Sequence, residues 1–128
     1  MLTLLAVTVL GACGDDGPAA APTTTSGNPV ATIQVVDETY KIELATPELA
    51  DHARALLAGE EVASIPLGTV VRDDPGVNAP WSWHIDPATL EFADMTIEVC
   101  DGLPSFVEDG TVTSDQYCPW SAEVVAVE

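Results

Sequence analysis

The chain has 128 residues, of which 47% are hydrophobic, so it is long enough for one domain with a buried core. It carries 21 acidic residues against three basic ones, a formal net charge of -18, and no basic residue follows Arg72. Such a charge repels phosphates and excludes nucleic acid as a partner. It favours a cationic partner, either a protein or a small ligand.

The amino-terminal segment has the features of an exported bacterial lipoprotein. Residues 1–12 are too short to span a bilayer but have the length of a signal-peptide core, although no Lys or Arg precedes it. The stretch LGAC, which ends at Cys13, resembles a lipobox and predicts lipidation of that thiol. The alternative is a buried amino-terminal helix or strand. We expect a domain outside the cytoplasm that contacts the cell membrane only through this lipid, with residues 13–29 as a flexible tether.

Cysteine parity predicts one disulfide bond. The chain has three cysteines, and lipidation of the first leaves Cys100 and Cys118 as a pair. The bridge would close a loop of about 19 residues and contribute on the order of 3 kcal/mol in the chain-entropy model. The alternative is a pair of thiols in a metal or redox site, but the C-x-x-C spacing and a nearby histidine are missing.

Residues 30–128 are expected to form the globular domain. Two β-rich runs around residues 37–38 predict a hairpin. Thr46 is a suitable N-cap for the main helix, Gly59 is a suitable end, and His52 is expected on the solvated side of this helix. Three strands, a short helix and a final strand follow. The order β-β-α-β-β-β-α-β predicts an α+β fold with a largely antiparallel sheet.

The segment PWSWHIDP, residues 80–87, contains two of the three tryptophans. Strand alternation places Trp81, Trp83 and Ile85 on one face, where we expect them to form core rather than an exposed aromatic platform. The predicted disulfide would bring Trp120 next to them.

A turn at Asp86–Thr89 predicts that the flanking strands, 81–85 and 89–100, pair as a hairpin. His84 would then face Glu91 across it. The apolar alternation in the second strand shifts by one residue, which predicts a bulge near Phe92 or Ala93.

The opposite face of this hairpin carries the candidate functional residues. Binding residues are predicted there and in the following segments: Ser82, His84, Glu98, Asp101 and Glu108. Hard cations prefer oxygen ligands, so Asp94, Glu98 and Asp101 are the candidates for a calcium site, although their spacing matches no EF-hand loop. A hydrolase would need His84 to meet Glu98 or Asp101. A solvated acidic face is the simplest alternative.

Beyond these separate features, the chain resembles the BP-seventy-four amino-terminal domain family over about residues 31–128. The likeness rests on the stretches NAPWSWHIDP, EVCDG, FVED and CPWS. It is strongest at these positions: Asn78, Pro80, Trp81, Ser82, His84, Asp86, Pro87, Glu98, Val99, Cys100, Asp101, Val107, Glu108, Cys118, Pro119, Trp120 and Ser121. Asp94 stands where the family usually has a glutamate, and residues 110–117 form a shorter segment than is usual.

The resemblance implies a secreted or cell-surface domain and carries over no catalytic residue. Relatives often bear a calmodulin-binding label, but calmodulin targets are basic amphipathic helices and this chain is strongly acidic. We therefore expect a lipid-anchored binding domain without catalysis and without a cofactor. A calcium-binding module and a small exported hydrolase are the two alternatives.

Overall fold

The computed structural model describes residues 27–128, which form an α+β fold with antiparallel sheets, as expected. The order departs from the expectation only by one additional short strand. The elements are β1 (Val30–Val35), β2 (Glu38–Glu43), α1 (Pro47–Leu57), β3 (Ile65–Arg72), β4 (Trp83–Ile85), β5 (Glu91–Ala93), a 3-10 turn (Glu98–Cys100), α2 (Pro104–Glu108), β6 (Gln116–Tyr117) and β7 (Ala122–Val127). None of the described helices is long and apolar enough to cross a membrane. The predicted signal peptide, Cys13 and most of the predicted tether lie outside the described residues.

The first sheet has the order β2-β1-β7. β1 and β2 form the predicted hairpin, with Val35 opposite Glu38. Along β1 the side chains of Ala31, Ile33 and Val35 are buried, and the residues between them are only partly covered. This alternation follows from the period of a strand with one face on the core. The sheet therefore supplies one wall of the core.

Helix α1 begins and ends as the sequence predicts, and it packs against β7. Oγ1 of Thr46 accepts a hydrogen bond from the backbone N–H of Leu49 (3.1 Å), which caps the helix. The prediction for His52 is wrong, because its side chain is not free in solvent. Its Nε2 lies 2.7 Å from the carbonyl oxygen of Ala63, and its ring stacks on Phe92 with a centroid distance of 4.6 Å. His52 thus packs α1 against β5.

The second sheet is built on β3, which pairs with β4, β5 and β6. β4 pairs with Val70–Arg72 and β5 pairs with Ile65–Leu67. The predicted hairpin between β4 and β5 is therefore wrong, since both strands pair with β3 instead of with each other. The turn after β4 does form, because the N–H of Thr89 donates to the carbonyl of Asp86 (3.0 Å).

This topology changes two expected cross-strand neighbours. His84 lies opposite Val71, and Glu91 lies opposite Leu67. The predicted His84–Glu91 pair is not formed.

The predicted long strand 89–100 is also wrong, because β5 ends at Ala93. Ala93 lies opposite Ile65, which is the first residue of β3. Beyond this point there is no β3 residue to pair with, so the chain leaves the sheet. The apolar residues that follow do not enter the core, and the phase shift near Phe92 reflects the end of the strand rather than a bulge.

Trp83 lies at the centre of the core, as predicted, and so does Ile85. The Trp83 ring packs against Tyr40 and Tyr117, with centroid distances of 5.6 and 5.5 Å. Burial raises the pKa of both tyrosines, so both phenols stay neutral. Trp81 is partly buried at the edge of this cluster, 6.4 Å from Trp83 between ring centroids. The expected place of Trp120 beside them is wrong, because Trp120 is 43% exposed and lies near the disulfide.

Asn78 joins the two sheets, and its side chain is buried. Its Oδ1 accepts a hydrogen bond from the backbone N–H of Lys41 on β2 (2.7 Å), and its Nδ2 donates to the carbonyl of Trp83 on β4 (2.9 Å). Next to it, Nε1 of Trp81 donates to the carbonyl of Thr39 (2.8 Å). Asn78 and Trp81 therefore satisfy backbone groups of β2, a strand that pairs with β1 alone in its sheet.

We predict that Asn78→Ala lowers the free energy of unfolding by about 2–4 kcal/mol, because it leaves the backbone N–H of Lys41 and the buried carbonyl of Trp83 without these partners. Urea unfolding at neutral pH measures the loss. Gln34→Ala is the matched control, since its amide bonds the Val36 carbonyl at the surface, and it should cost less than about 0.5 kcal/mol. Equal losses for the two variants would contradict the role given to Asn78.

Candidate functional site

The structure brings Ser82 and Glu108 together. The hydroxyl of Ser82 donates to Oε2 of Glu108 (2.6 Å), and the backbone N–H of Ser82 donates to Oε1 (2.9 Å). These two hydrogen bonds lower the pKa of Glu108, because they stabilise its charged form. The pair links the segment before β4 to the end of α2. Each group already has a partner within the domain.

A second serine–carboxylate pair holds α2 at its other end. The N–H and the hydroxyl of Ser105 donate to the two carboxylate oxygens of Glu38, at 2.9 and 2.8 Å. The guanidinium of Arg72 donates to the carbonyl oxygens of Val107 (2.9 Å) and Val112 (3.1 Å). α2 is thus fastened to β2, to β3 and to the segment that carries Ser82.

His84 lies two residues beyond Ser82, but its ring contacts a different group. Nδ1 lies 2.7 Å from the carbonyl oxygen of Asp74 and 4.0 Å from its carboxylate. Gly76 lies directly against the ring, because a Cβ at this position would be 2.8 Å from Cγ of His84. His84 therefore holds the 74–76 loop against β4.

The predicted acidic residues are used in separate ways. Oδ1 of Asp101 accepts a hydrogen bond from the backbone N–H of Trp120 (2.8 Å), whereas Asp94 and Glu98 are exposed. Among residues 27–128, no group of three His, Cys, Asp or Glu side chains is placed to hold a metal ion. In the same residues, no hydrogen bond or ion pair joins His84 to Glu98 or Asp101. Calcium binding stays a prediction, and a calcium titration followed by thermal melting tests it.

The predicted disulfide between Cys100 and Cys118 is present. The N–H of Cys118 donates to the carbonyl of Cys100 (2.7 Å), and both sulfur atoms lie within 3.5 Å of the carbonyl oxygen of Ile97. Ile65 and Leu67 pack against the bridge as a small second core. The bridge therefore fixes the chain that leaves β5.

The sequence predictions missed a surface next to this bridge, here called the apolar platform. It consists of Met95, Ile97, Val99 and Trp120, which are exposed by 85, 68, 65 and 43%. Nε1 of Trp120 donates to Oγ1 of Thr96 (2.6 Å), so the tryptophan is tied to the loop that carries the other three. Single exposed apolar residues are ordinary, whereas several that are exposed along one short segment and on a residue bonded to it indicate an interaction site. The alternation of apolar and polar residues over 94–99 predicts a strand, so nothing in the sequence indicates that these side chains are exposed. Their exposure follows because β3 begins at Ile65, beyond which the chain has no β3 residue to pair with.

A shallow groove lies elsewhere, beside the start of α1. Its volume is about 280 Å³, and its lining includes Pro29, Leu44, Ala50 and Arg54. None of the residues proposed from the sequence as binding residues lines this groove.

We predict that Ser82→Ala raises the pKa of Glu108 towards the ordinary value of a glutamate, because the hydroxyl bond that lowers it is lost. A group with a lowered folded pKa stabilises the fold above its unfolded pKa and loses this contribution as the pH falls through the folded value. The stability difference between the wild type and Ser82→Ala should therefore shrink in acid. Carboxyl NMR titration measures the pKa, and an unchanged value in the variant would contradict the pairing.

Comparison with curated proteins finds no match to the chain, and comparison with solved structures finds none either. The family model of the BP-seventy-four amino-terminal domain matches residues 28–128, which is nearly the whole of the described part. Seven of the motif residues make side-chain contacts that hold this domain together: Asn78, Trp81, Ser82, Asp101, Glu108, Cys100 and Cys118. The chain belongs to the BP-seventy-four amino-terminal domain family.

Proposed function

We propose that this protein is a lipid-anchored binding domain of the cell surface that contacts its partner through the apolar platform and carries out no catalysis. The observation that supports the proposal most is the exposure of Met95, Ile97 and Val99 on a segment that the disulfide holds in place, together with the exposed Trp120 that is bonded to it. A surface that is ordered before binding loses little conformational entropy on association. A fixed apolar surface therefore fits binding.

The alternative of a hydrolase finds little support in the same region. A nucleophilic serine needs a base that can take its proton, and the base in turn needs an orienting group. Ser82 donates to a carboxylate whose pKa is lowered, so that carboxylate is a poor base at neutral pH. Within residues 27–128, His84 hydrogen-bonds to the Asp74 carbonyl through Nδ1, whereas Ser82 hydrogen-bonds to Glu108.

The lipid anchor is proposed from the LGAC stretch and from cysteine parity. Because Cys100 and Cys118 form a disulfide, Cys13 is the one cysteine left of the three in the sequence. A single lipid with a tether of Gly, Pro, Ala and Thr residues would present the domain away from the bilayer.

We predict that Cys13→Ala moves the protein from the membrane fraction to the soluble or secreted fraction, because the thiol that would carry the lipid is removed. Fractionation of cells that express the full chain measures the distribution. Thr23→Ala, in the tether, is the matched control and should stay with the membrane. Unchanged membrane association of Cys13→Ala would contradict lipid anchoring at this residue.

We predict that a photoreactive benzoylphenylalanine in place of Val99 forms a discrete cross-linked product on intact cells. The control places the same group at Val36, which is as exposed as Val99, at 66% against 65%. It should form no product, because Val36 lies at the β1–β2 turn and outside the platform. An excess of purified wild-type domain should suppress the product, and an excess of the Ile97→Ser variant should not. Identical products from both positions, or none from position 99, would contradict binding through the platform.

A further inference from the structure

We propose that the partner of the apolar platform is a basic amphipathic polypeptide segment, with apolar side chains on one face and Lys or Arg beside them. This inference rests on the proposed function, since it names the chemistry of the partner that the same platform would bind. It adds a class of ligand, and it predicts how salt and sequence control the interaction.

The apolar half of the recognition comes from the spacing of the exposed side chains. Met95 and Ile97 lie in the segment after β5 and Val99 lies in the 3-10 turn that follows it; all three are exposed, and Trp120 is fastened to this segment through Thr96. Burial of apolar surface contributes about 25 cal/mol per Å² removed from water, and large aromatic residues dominate such contacts. A partner therefore needs apolar side chains that reach this loop together.

The charged half comes from carboxylates that alternate with the same side chains. Asp94 is exposed just after β5, Glu98 is exposed at the start of the 3-10 turn, and Asp101 follows that turn. The three basic residues of the chain lie on other elements: Lys41 on β2, Arg54 on α1 and Arg72 on β3. Arg72 is the last residue of β3, whereas β5 pairs with the start of β3, at Ile65. The rim of the platform is therefore negative, with no cation beside it in the sequence, and it complements a positive partner.

The same charges argue against two other occupants. A second copy of this chain would bring identical carboxylates against one another, and like charges across an interface are costly. An anionic membrane surface would be repelled for the same reason. An apolar segment flanked by cations satisfies both halves of the surface at once.

The test uses a synthetic amphipathic helix of leucine and lysine as the probe, with the full-length protein labelled for NMR. The probe should shift the resonances of the 95–99 loop and the indole N–H of Trp120, and added salt should weaken its binding because exposed charges are screened. Two control peptides separate the apolar contribution to binding from the electrostatic one. One has the same composition in an order that scatters the leucines, and the other has glutamate in place of lysine. Both should bind at least about tenfold more weakly.

Paired variants separate the contributions of the domain. Ile97→Ser with Val99→Ser should weaken binding by about tenfold. Asp94→Asn with Glu98→Gln should weaken it less and reduce its salt dependence. Val36→Ser and Asp37→Asn, both at the exposed β1–β2 turn, are the controls and should leave the affinity unchanged.

Three results would overturn the inference: equal binding of the lysine and glutamate peptides, resonance shifts confined to other parts of the surface, or platform shifts caused by phosphatidylcholine vesicles but not by the peptide. If a cross-linked product still forms at position 99 in any of these cases, the proposed function stands and only the chemistry of the partner is wrong. If peptide binding maps to the platform but no cross-linked product forms on cells, the proposed function fails while the recognition chemistry is confirmed.

Discussion

The carboxamide of Asn78 joins the two sheets of this domain. It accepts from β2 and donates to β4, and both groups that it satisfies belong to the backbone. A hydrophobic side chain of similar volume could fill the same space but could not satisfy either backbone group, so the position needs an amide. The aromatic cluster of Tyr40, Trp83 and Tyr117 then packs across the joint.

The other polar contacts extend this joint outwards. Glu38 and Glu108 each hold a serine by two hydrogen bonds, and Arg72 holds two carbonyls beside α2. A short helix of one or two turns is unstable by itself, so α2 depends on these contacts. Ser82 and Glu108, which the sequence suggests as binding residues, therefore serve to position helix α2. The apolar platform, next to the disulfide, stays exposed.

The parts of the fold that depend on local rules could be predicted from the sequence. The Thr46 cap, the β1–β2 hairpin and the pairing of Cys100 with Cys118 each follow from neighbouring residues or from counting. The pairing of β4 and β5 with β3 could not be predicted, because a turn at Asp86 fits a hairpin equally well.

The same limit explains the errors in the candidate site. Strand alternation cannot show where a partner strand begins, so the pattern after Ala93 predicts a strand and hides the platform. From the sequence, Ser82 and Glu108 are both candidate binding residues, but nothing in it predicts their direct contact. Glu108 is 26 residues further along the chain than Ser82, and the two meet only because α2 packs against the segment before β4.

The central claim is that the PWSWHIDP segment builds the domain and that binding belongs to the platform. A comparison of Trp83→Ala with Trp120→Ala tests it most directly, because the two variants remove the same side chain from the core and from the surface. Urea unfolding should show a loss of about 3–5 kcal/mol for Trp83→Ala, whereas Trp120→Ala should stay folded with a loss of about 1 kcal/mol. Only Trp120→Ala should then abolish cross-linking from position 99 while the domain stays folded. A stable Trp83→Ala variant that has lost binding, together with a Trp120→Ala variant that keeps it, would contradict the account.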